Sequence, residues 1–592
     1  MSHNITIESG KSIRLPTAGK YCDRDIVITA EGGAEDLDTI LTEQETLIEE
    51  LKETLRNKAT SQSGEKEVCF YDYDGTLLYA YTLEEAKALT ELPELPTQKG
   101  LICQGWNYDL ETIKEYDRPV NIGATYITDD GKTRLYIEID DINRNSINLQ
   151  ISPRKSTTIM IDWGDGTEPS SSQAHTYDRI GEYIISIEVV GDGINIGSGS
   201  STTNVMNKRQ ADKILKKVEF GNGVYQIYNY AFRNCTCLTN ITIPNGITGI
   251  PGSTFYGCSL LEDVIIPNSV TSIGQYAFYG CYTLQNIIIP NSVTSIGDEA
   301  FRECYTLQNI IIPNSVTSIG RYAFYDCYSF TGVVIPKSVT SINTYTFYSC
   351  RSLSSVIILE GVTSIGSYAF QNCYSLEEVV ISDNVTSIGA NAFASCYSLQ
   401  NITIPEGVAS IENYTFSNCY RLQSVTMPNE ITNIKNYAFQ NCYSLVNISI
   451  PDAVTSIGTY AFANCYSLQN ITIPEGVASI ANYTFQNCRT LQNIAIPNSV
   501  ASIGQEAFRN CYSFTTIIIP DSVTSIGSSA FASCFNLKCC DFTQHTKVPT
   551  LTGNYAFDSA PSDLEIRVPA SLYDEWVAAT NWSSYAKYIV AV

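Results

Sequence analysis

Cysteine, whose thiol can form cross-links, bind metals or act as a nucleophile, is abundant in this sequence. The 592-residue chain has 20 cysteines but only three histidines, so a histidine-based metal site or catalytic triad is poorly supplied. Fourteen of the cysteines, from Cys235 to Cys534, are evenly spaced along the sequence. Each is separated from the next by the same number of residues as Cys235 is from Cys258. Thiols at such a spacing could cross-link neighbouring repeats, but parallel Cβ directions give poor disulfide geometry. We therefore predict a ladder of buried, reduced thiols that pack as small apolar side chains.

A phenylalanine three residues before each of these cysteines follows the same period without an insertion. An isoleucine stands five residues before each phenylalanine, and a leucine six residues after it except at Phe330 and Phe514. A fixed period of this length predicts a solenoid in which each coil buries its apolar residues against the next. The phenylalanines are Phe232, Phe255, Phe278, Phe301, Phe324, Phe347, Phe370, Phe393, Phe416, Phe439, Phe462, Phe485, Phe508 and Phe531.

Each repeat contains two short segments that are typical of strands. "NIIIP" and "VTSIG" are rich in β-branched residues and bounded by proline or glycine, so we predict two parallel strands per coil. The segment between them, such as "QYAFYGC", is predicted to be a helical turn. At roughly 4.8 Å per coil, fourteen coils would extend roughly 65–70 Å.

The pattern "SVTSIGxxAFxxCxxLxxIxIP" resembles the BspA-like class of leucine-rich repeats over about residues 215–545. The chain departs from the general leucine-rich repeat pattern, since proline and no asparagine follows the "IxI" strand. Members of this class are mainly binding and adhesion modules, so the resemblance implies a binding function. A repeat class by itself does not name a ligand.

One short motif could indicate an enzyme. "DYDGT", from Asp72 to Thr76, resembles the first motif of haloacid-dehalogenase-type phosphatases, which would make Asp72 the nucleophile and Asp74 the acid/base. That chemistry needs Mg²⁺, further carboxylates, a phosphate-binding lysine and a large doubly wound sheet, for which about 70 following residues are too few. The residues also alternate as two strands around an Asp-Gly turn. We therefore expect a hairpin within a small α+β domain at 65–141, and no enzyme, cofactor or metal site.

Two segments precede this hairpin. "LPTAGKYCDRDIVIT", in a predicted β module at 1–33, resembles short N-terminal modules of phage tail and virion proteins. Residues 34–60 predict a short coiled coil with one polar layer, and hence a homo-oligomer in which a trimer is favoured. The alternative is a lone surface helix that packs on a neighbouring domain. Its core positions are Leu41, Ile48 and Leu55 at a, with Leu37, Gln44 and Leu51 at d.

The flanks of the repeat array have their own patterns. "WGDGT", "HTY" and "GEYIISIEV" in residues 142–200 resemble a PKD-type β-sandwich, a domain class that usually acts as a spacer. The resemblance implies that Trp163 is a core residue, that Asp165-Gly166 forms a turn, and that His175 orders a loop. After the repeats at 210–545, residues 546–592 predict a terminal cap in which Trp576 and Trp582 seal the last coil. Cys539 and Cys540 have no assigned role.

Two rows of equivalent residues are candidate ligand-binding surfaces. The first follows the ladder cysteines, where tyrosine offers a large contact area with a polar tip; the alternative is that the rings only stack on one another and shield the thiols. Its members are Tyr282, Tyr305, Tyr328, Tyr374, Tyr397, Tyr420, Tyr443, Tyr466 and Tyr512.

The second row contains the middle residues of the "IxI" strands, which we expect to point out of the coils. Six consecutive members are aliphatic and the next four are threonine or serine, so an exposed apolar strip for a partner is predicted. One alternative is that another part of the chain, or another subunit, covers the strip. Another is that strand propensity alone explains isoleucine and valine at this position. The six are Ile265, Ile288, Ile311, Val334, Ile357 and Val380.

The net charge and the hydropathy of the sequence argue against several classes of partner and against a membrane location. A net charge of −25 argues against nucleic acid and anionic membranes as partners. The sequence has no run of about 18 apolar residues and no apolar signal core at its N-terminus, so neither a membrane span nor Sec secretion is expected. We predict a mainly β, non-enzymatic binding protein for a cell-surface protein or glycan receptor. The first hypothesis is a phage or prophage tail fibre in the virion, and the alternative is a BspA-like adhesin at the bacterial cell surface.

Overall fold

The computed structural model describes residues 3–7, 11–13, 26–29, 68–72, 76–114, 120–197, 204–206, 211–308, 310–492 and 494–592. The chain divides into two compact units, Met1–Asn57 and Lys58–Val592. In the first unit, strand His3–Ile7 pairs antiparallel with Lys11–Ile13 and parallel with Ile26–Thr29. The predicted N-terminal strands are thus confirmed, whereas the predicted coiled coil at 34–60 lies outside the described residues.

The repeats form a β-solenoid of about 16 turns, two more than the fourteen regular copies. Strands of successive coils are parallel and pair with a shift of one repeat, as in Ile241 with Val264 and Val264 with Ile287. The first strands of the coils are Leu215–Glu219, Asn240–Thr242, Asp263–Ile265, Asn286–Ile288, Gly332–Ile335, Ser355–Ile358, Glu378–Ile381, Asn401–Thr403, Ser424–Thr426, Thr516–Ile518 and Cys539–Asp541.

The second strands are shorter and form a separate set of parallel ladders, as predicted from "VTSIG". They are Val224–Ile227, Ser272–Ile273, Ser295–Ile296, Ser318–Ile319, Ser341–Ile342, Ser364–Ile365, Ser387–Ile388, Ser410–Ile411, Asn433–Ile434, Ser456–Ile457, Ser479–Ile480, Ser502–Ile503, Ser525–Ile526 and Thr550–Leu551.

The predicted helical turn between the two strands is wrong. The residues two before and two after the phenylalanine adopt left-handed φ angles, +56° at Tyr322 and +59° at Asp326 in one coil. Alternate backbone amides then donate to the next coil, as Phe324 does to Thr346 at 2.9 Å and Asp326 to Tyr348 at 2.9 Å. A helix would satisfy these amides within its own coil, so bonding between coils explains the departure.

The core repeats from coil to coil. The fourteen phenylalanines are fully buried, and neighbouring rings stack at centroid distances of 5.2–5.8 Å. Each buried thiol from Cys258 to Cys534 donates to the carbonyl of the phenylalanine in the preceding coil, for example Cys304 to Phe278 at 3.2 Å. Burial raises the pKa of Cys419 to about 12. The buried thiol ladder is therefore confirmed.

A β-rich region continues the solenoid sheet at its N-terminal end. Thr133–Ile139 pairs antiparallel with both Gly181–Val190 and Leu215–Glu219, so this strand belongs here rather than to the small domain at 65–141. Ile194–Ile196 likewise joins the second ladder through Val224–Ile227. The remaining elements are strands Ser146–Asn148, Ile151–Pro153, Thr158–Asp162 and Ala174–Thr176, 3-10 helix Ile142–Arg144, and helix Ala211–Ile214.

Three residues of this region take the roles predicted for them. Trp163 is 2% exposed and packs in the core. Asp165 accepts from the Thr167 amide at 3.1 Å in the turn. His175 Nε2 lies 2.7 Å from Asp165 Oδ2, and its ring stacks on Trp163 at 4.9 Å, so the histidine orders the loop.

The last coils end in a hydrophobic cap, as predicted. Phe557 extends the phenylalanine stack at 5.4 Å from Phe531. Trp576 and Trp582 are fully buried, and the Trp582 indole donates to the Pro549 carbonyl at 2.7 Å. Cys540 takes the place of the inward isoleucine in its strand and is also fully buried. The cap contains strands Glu565–Val568 and Ile589–Ala591, 3-10 helices Ala570–Leu572 and Ser583–Tyr588, and helix Tyr573–Ala578.

A small domain lies against the first coils. Its four-stranded sheet has the order Leu77–Tyr81, Val68–Tyr71, Val120–Thr128, Leu101–Trp106. The first two strands are antiparallel, which confirms the predicted hairpin, while residues 73–75 at its turn lie outside the described residues. Two short helices, Leu83–Lys87 and Leu110–Lys114, complete it, and Thr82 and Glu85 form a capping box at the first.

Candidate binding surface

Asp72, the residue that resembles a phosphatase nucleophile, is engaged in structural hydrogen bonds. Its carboxylate accepts from the Tyr126 hydroxyl and from Gln98 Nε2, both at 2.6 Å, and the residue is 4% exposed. Burial and the adjacent Asp72 raise the pKa of Tyr126, so that hydroxyl remains a donor. Asp74 lies outside the described residues. The observed bonds fix the end of a strand and leave the phosphatase hypothesis unsupported.

The six aliphatic middle residues, here called the apolar strip, are not an open surface. Ile265, Val334 and Ile357 are 5%, 4% and 1% exposed, and the other three are half-buried. The prediction of an exposed strip is therefore wrong. A strand side chain that points out of its coil can still be buried when a second layer packs on the sheet.

The small domain supplies that layer over the first coils. A Cβ atom on Gly123 would lie 3.3 Å from Ile288 Cδ1 and 3.4 Å from Ile265 Cγ2, so the glycine brings the small-domain backbone close to the strip and a side chain there would push the two isoleucines outward. Ile288 packs against the core of the small domain. The alternative, that another part of the chain covers the strip, is confirmed for Ile265 and Ile288.

Polar contacts hold the small domain in place. Buried Asn107 donates from Nδ2 to the Ile266 carbonyl at 3.3 Å, and its Oδ1 accepts from the Gly123 amide at 2.7 Å. The Tyr108 hydroxyl donates to the Ile289 carbonyl at 2.6 Å. Both acceptors are backbone atoms of the solenoid, so the contact depends on the coil geometry more than on coil side chains.

In the next four coils the middle residues of the first strand segments are polar and exposed. These residues, here called the polar strip, are Thr403, Thr426, Ser449 and Thr472. The first residues of the same strand segments are exposed as well: Asn401, Ser424, Asn447 and Asn470. Hydroxyl and amide groups at one-coil spacing make a neutral surface that can exchange hydrogen bonds with a polar ligand.

Sequence reasoning recorded the change to threonine and serine but did not identify it as a binding surface. The sequence favours the apolar half as the partner site because large exposed apolar areas usually mark interfaces. Only the position of the small domain, which no local pattern encodes, reverses that interpretation.

The tyrosines after the ladder cysteines stack ring on ring. Tyr374, Tyr397, Tyr420, Tyr443 and Tyr466 follow one another at centroid distances of 4.6–4.8 Å. Where arginine replaces tyrosine, its guanidinium continues the stack: Arg351 lies 4.3 Å from the Tyr328 ring and Arg489 4.3 Å from the Tyr466 ring.

The rings therefore stack on one another, which both the recognition hypothesis and its alternative allow. Their faces are occupied by neighbouring rings, so a ligand can reach only ring edges and hydroxyls. Burial and nearby carboxylates raise the pKa of Tyr305 to about 12, which keeps its hydroxyl protonated. The role of the row in recognition stays a prediction.

Two further rows of stacked aromatic residues were not identified from the sequence. Tyrosines two residues before the phenylalanine stack in the same way, with Tyr437 and Tyr460 at 4.9 Å. In the first coils, Arg302 stacks on Tyr325 at 4.6 Å and pairs with Glu299 at 3.0 Å. The repeat period could have revealed these rows, because every variable position forms a ladder.

Comparison with known proteins identifies the repeats. A family profile described as "BspA type Leucine rich repeat region (6 copies)" matches residues 205–331, 317–446 and 432–563, which together exceed half of the chain. The chain therefore belongs to the family of proteins with BspA-type leucine-rich repeats. No significant match was found among curated proteins.

Several solved structures are similar to the chain. A leucine-rich repeat protein from Bacteroides ovatus is 26% identical over 65% of this chain and 96% of its own, with a TM-score of 0.50. A leucine rich cell surface protein from Faecalibacterium prausnitzii is 28% identical over 57% of this chain and 90% of its own, with a TM-score of 0.34. Among the described residues, no helix combines the length and hydropathy needed to cross a membrane.

Proposed function

We propose that this member of the BspA-type leucine-rich repeat family is a non-enzymatic binding protein that recognises its ligand on the polar strip. Proteins of this family are typically non-enzymatic repeat proteins. The observation that carries the proposal is the exposure of Thr403, Thr426, Ser449 and Thr472 on four consecutive coils, next to a half of the same face that is already occupied. A regular surface of this kind recognises a repeating or extended ligand through many equivalent contacts.

We propose a bacterial surface adhesin in preference to a phage tail fibre. The comparisons support a bacterial leucine-rich repeat protein and offer no support for a tail protein. The resemblance to virion proteins rests on residues 1–33 alone, and the resemblance of residues 142–200 to a PKD-type spacer adds nothing specific to phage. The proposed receptor is a cell-surface glycan or protein, and the proposed site of action is the bacterial cell surface.

The test is binding of the labelled full-length chain to mucin-coated epithelial cells and, separately, to bacterial cells. An adhesin is expected to bind the epithelial layer, whereas a tail fibre would bind one bacterial strain. The variant Thr426→Arg with Thr472→Arg places two long cations on the polar strip and should abolish binding. Ala478→Arg with Ala501→Arg is the matched control, since both alanines are exposed before the second strands.

Each outcome is decisive for the proposed surface. Binding that survives in the polar-strip variant would contradict it, as would equal loss in the control variant. Absence of binding to every cell type would contradict the binding function itself.

The oligomeric state is a separate part of the proposal. Residues 34–60 carry the heptad pattern, so we propose a trimer held by this segment. Light scattering of the full-length chain is expected to give three times the chain mass. A monomeric mass would contradict the stalk, with no consequence for the polar strip.

A further inference from the structure

The proline that follows the first strand in eleven coils changes the hydrogen bonding between coils. Three coils have another residue there. The Thr543 amide donates to Asp541 Oδ1 at 2.8 Å, but the other two amides show the bond that is lost: Leu359 donates to the Ile335 carbonyl at 3.2 Å, and Ser382 to the Ile358 carbonyl at 3.1 Å. In each case the acceptor is the last residue of the first strand in the preceding coil. Because proline has no N–H, every proline at this position leaves the equivalent carbonyl of the preceding coil without that donor.

Where the small domain covers this row of carbonyls, it supplies hydrogen-bond donors in place of the missing backbone amides. The Thr128 amide donates to the Phe220 carbonyl at 3.0 Å. The Asn107 side-chain amide and the Tyr108 hydroxyl donate to the carbonyls of Ile266 and Ile289. At the other end of the array, His545 Nε2 lies 3.1 Å from the Ile519 carbonyl.

Six consecutive carbonyls between these ends receive no hydrogen bond from any residue that the structure describes. They lie in the coils that precede Pro405, Pro428, Pro451, Pro474, Pro497 and Pro520, and the middle four of them end the strand segments that carry the polar strip. Unsatisfied backbone acceptors are costly when a ligand or another chain excludes water from them, so whatever covers this face must bring donors. The six belong to Ile381, Ile404, Met427, Ile450, Ile473 and Ile496.

We propose that this acceptor row and the polar strip together bind a neutral, N-acetylated oligosaccharide. The proposal rests on the proposed binding function and names its ligand class. The occupied positions of the row show the donor types that fit, namely the amide of Asn107 and the hydroxyl of Tyr108, and an N-acetylated sugar carries both groups on each unit. Acceptors recur once per coil, about 4.8 Å apart, which suits a ligand with donors at a regular short spacing.

Two features of the surroundings favour this ligand. The polar strip and the exposed residues at the start of its strands are threonine, serine and asparagine, and they lack the aromatic or aliphatic anchors of protein interfaces. Exposed carboxylates follow the prolines in the same coils, at Glu406, Glu430, Asp452 and Glu475. These carboxylates repel sialylated or sulfated glycans, so a neutral chain is the one selected.

The prolines also provide the test. Pro428→Ser, Pro451→Ser and Pro474→Ser together would return backbone amides to the carbonyls of Ile404, Met427 and Ile450, in the way that Ser382 already serves Ile358. Isothermal titration of the full-length chain with the N-acetylglucosamine tetramer should show binding to the wild type. Three lost hydrogen bonds should weaken it by about tenfold or more, with little change in the thermal midpoint.

Pro267→Ser is the matched control. It makes the same substitution at the same position of a coil and supplies an amide to the Ile243 carbonyl, outside the six. Its affinity should equal that of the wild type. The cellulose tetramer, which is neutral and lacks the acetamido groups, and the hyaluronan tetramer, which is acidic, should bind much more weakly than the N-acetylglucosamine tetramer.

The outcomes separate this inference from the proposed function. If the wild type binds cells but not the N-acetylglucosamine tetramer, the ligand class is wrong and the binding function stands. If the triple variant binds as tightly as the wild type, the acceptor row is not the site. Should the triple variant lose its cooperative thermal transition, Pro451→Ser alone is measured, and an affinity equal to that of Pro267→Ser overturns the inference.

Discussion

The apolar strip and the polar strip occupy equivalent positions on one repeated sheet, yet they face different surroundings. Ile265 and Ile288 lie beneath the small domain, whereas Thr426 and Thr472 are exposed. Both strips stand on the same buried framework of phenylalanine, cysteine and isoleucine. The difference shows that one solenoid face can serve as an internal interface in one half and as a recognition surface in the other.

The occupied half also shows how the open half can work. The small domain meets the solenoid through a glycine-allowed close contact and through donors to backbone carbonyls. Since the backbone repeats identically, the same acceptors continue into the coils of the polar strip. What differs is that apolar side chains hold a permanent layer, while hydroxyls suit reversible exchange with a hydrated ligand.

The largest expected effect tests the framework that the two strips share. Burial raises the pKa of Cys419 to about 12, whereas an unfolded thiol ionises near pH 8.5. The thiols therefore support the fold fully below about pH 8.5, and this support is lost as the pH rises toward 12, by about 1.4 kcal/mol per pH unit for each thiol.

Thermal unfolding followed by circular dichroism from pH 7 to 11 measures this loss. We expect a stable midpoint up to about pH 8.5 and a steep decline above it. In native protein at pH 8 the fourteen ladder thiols should resist a thiol reagent, and nearly all 20 should react in denaturant without reductant. Few free thiols under that second condition would show cross-linking and contradict the reduced ladder.

A carboxylate introduced into each strip should change the stability of the protein by different amounts. Ile288→Asp places a carboxylate against the core of the small domain and should destabilise the protein by about 3 kcal/mol or more. Thr426→Asp makes the same change at an exposed position and should alter stability by no more than about 0.5 kcal/mol. Equal effects in thermal unfolding would show that the two strips do not differ in burial.

A smaller effect is expected for the polar contacts of the covered half. Asn107→Ala leaves the Gly123 amide and the Ile266 carbonyl without partners and should cost about 2 kcal/mol. Hydrogen exchange should then rise in the strand Val120–Thr128 and remain unchanged in Ser424–Thr426. Unchanged exchange in both strands would mean that Asn107 does not hold the small domain on the solenoid.

The smallest effect concerns the stacked tyrosines. Tyr420→Ser interrupts the stack between Tyr397 and Tyr443 and should cost about 1 kcal/mol, while Tyr420→Phe keeps the stack and should be neutral. Replacement of Tyr397, Tyr420 and Tyr443 by serine should leave cell binding intact if the polar strip is the recognition surface. A loss of binding with an intact fold would move recognition to the tyrosine row.

Much of the fold follows from the sequence because, at a fixed period, equivalent residues of successive coils lie next to one another. The phenylalanine register predicts the solenoid and the buried thiols, and the need of a solenoid for a terminal cap predicts the role of Trp576 and Trp582. The turn conformation could not be predicted, since Tyr322 adopts a left-handed φ that tyrosine rarely takes and that bonding between coils imposes.

The binding surface is less accessible to sequence reasoning. The contact of Gly123 with Ile265 and Ile288 joins two distant parts of the sequence, and no local pattern encodes such a contact. Burial of the apolar strip was therefore only an alternative. The proline after the first strand was visible as a departure from the general repeat, but its consequence needs the register of neighbouring coils, which Ser382 and Ile358 reveal.

Cysteine labelling can show whether the apolar strip is covered and the polar strip is open. Ile265→Cys and Thr426→Cys place a thiol at equivalent positions of the two strips, in a protein whose ladder thiols are buried. A bulky maleimide is applied to the native full-length variants, and the labelled peptides are quantified by mass spectrometry. We expect rapid labelling at position 426 and protection at position 265. Equal labelling of the two positions would show that the two strips do not differ in exposure.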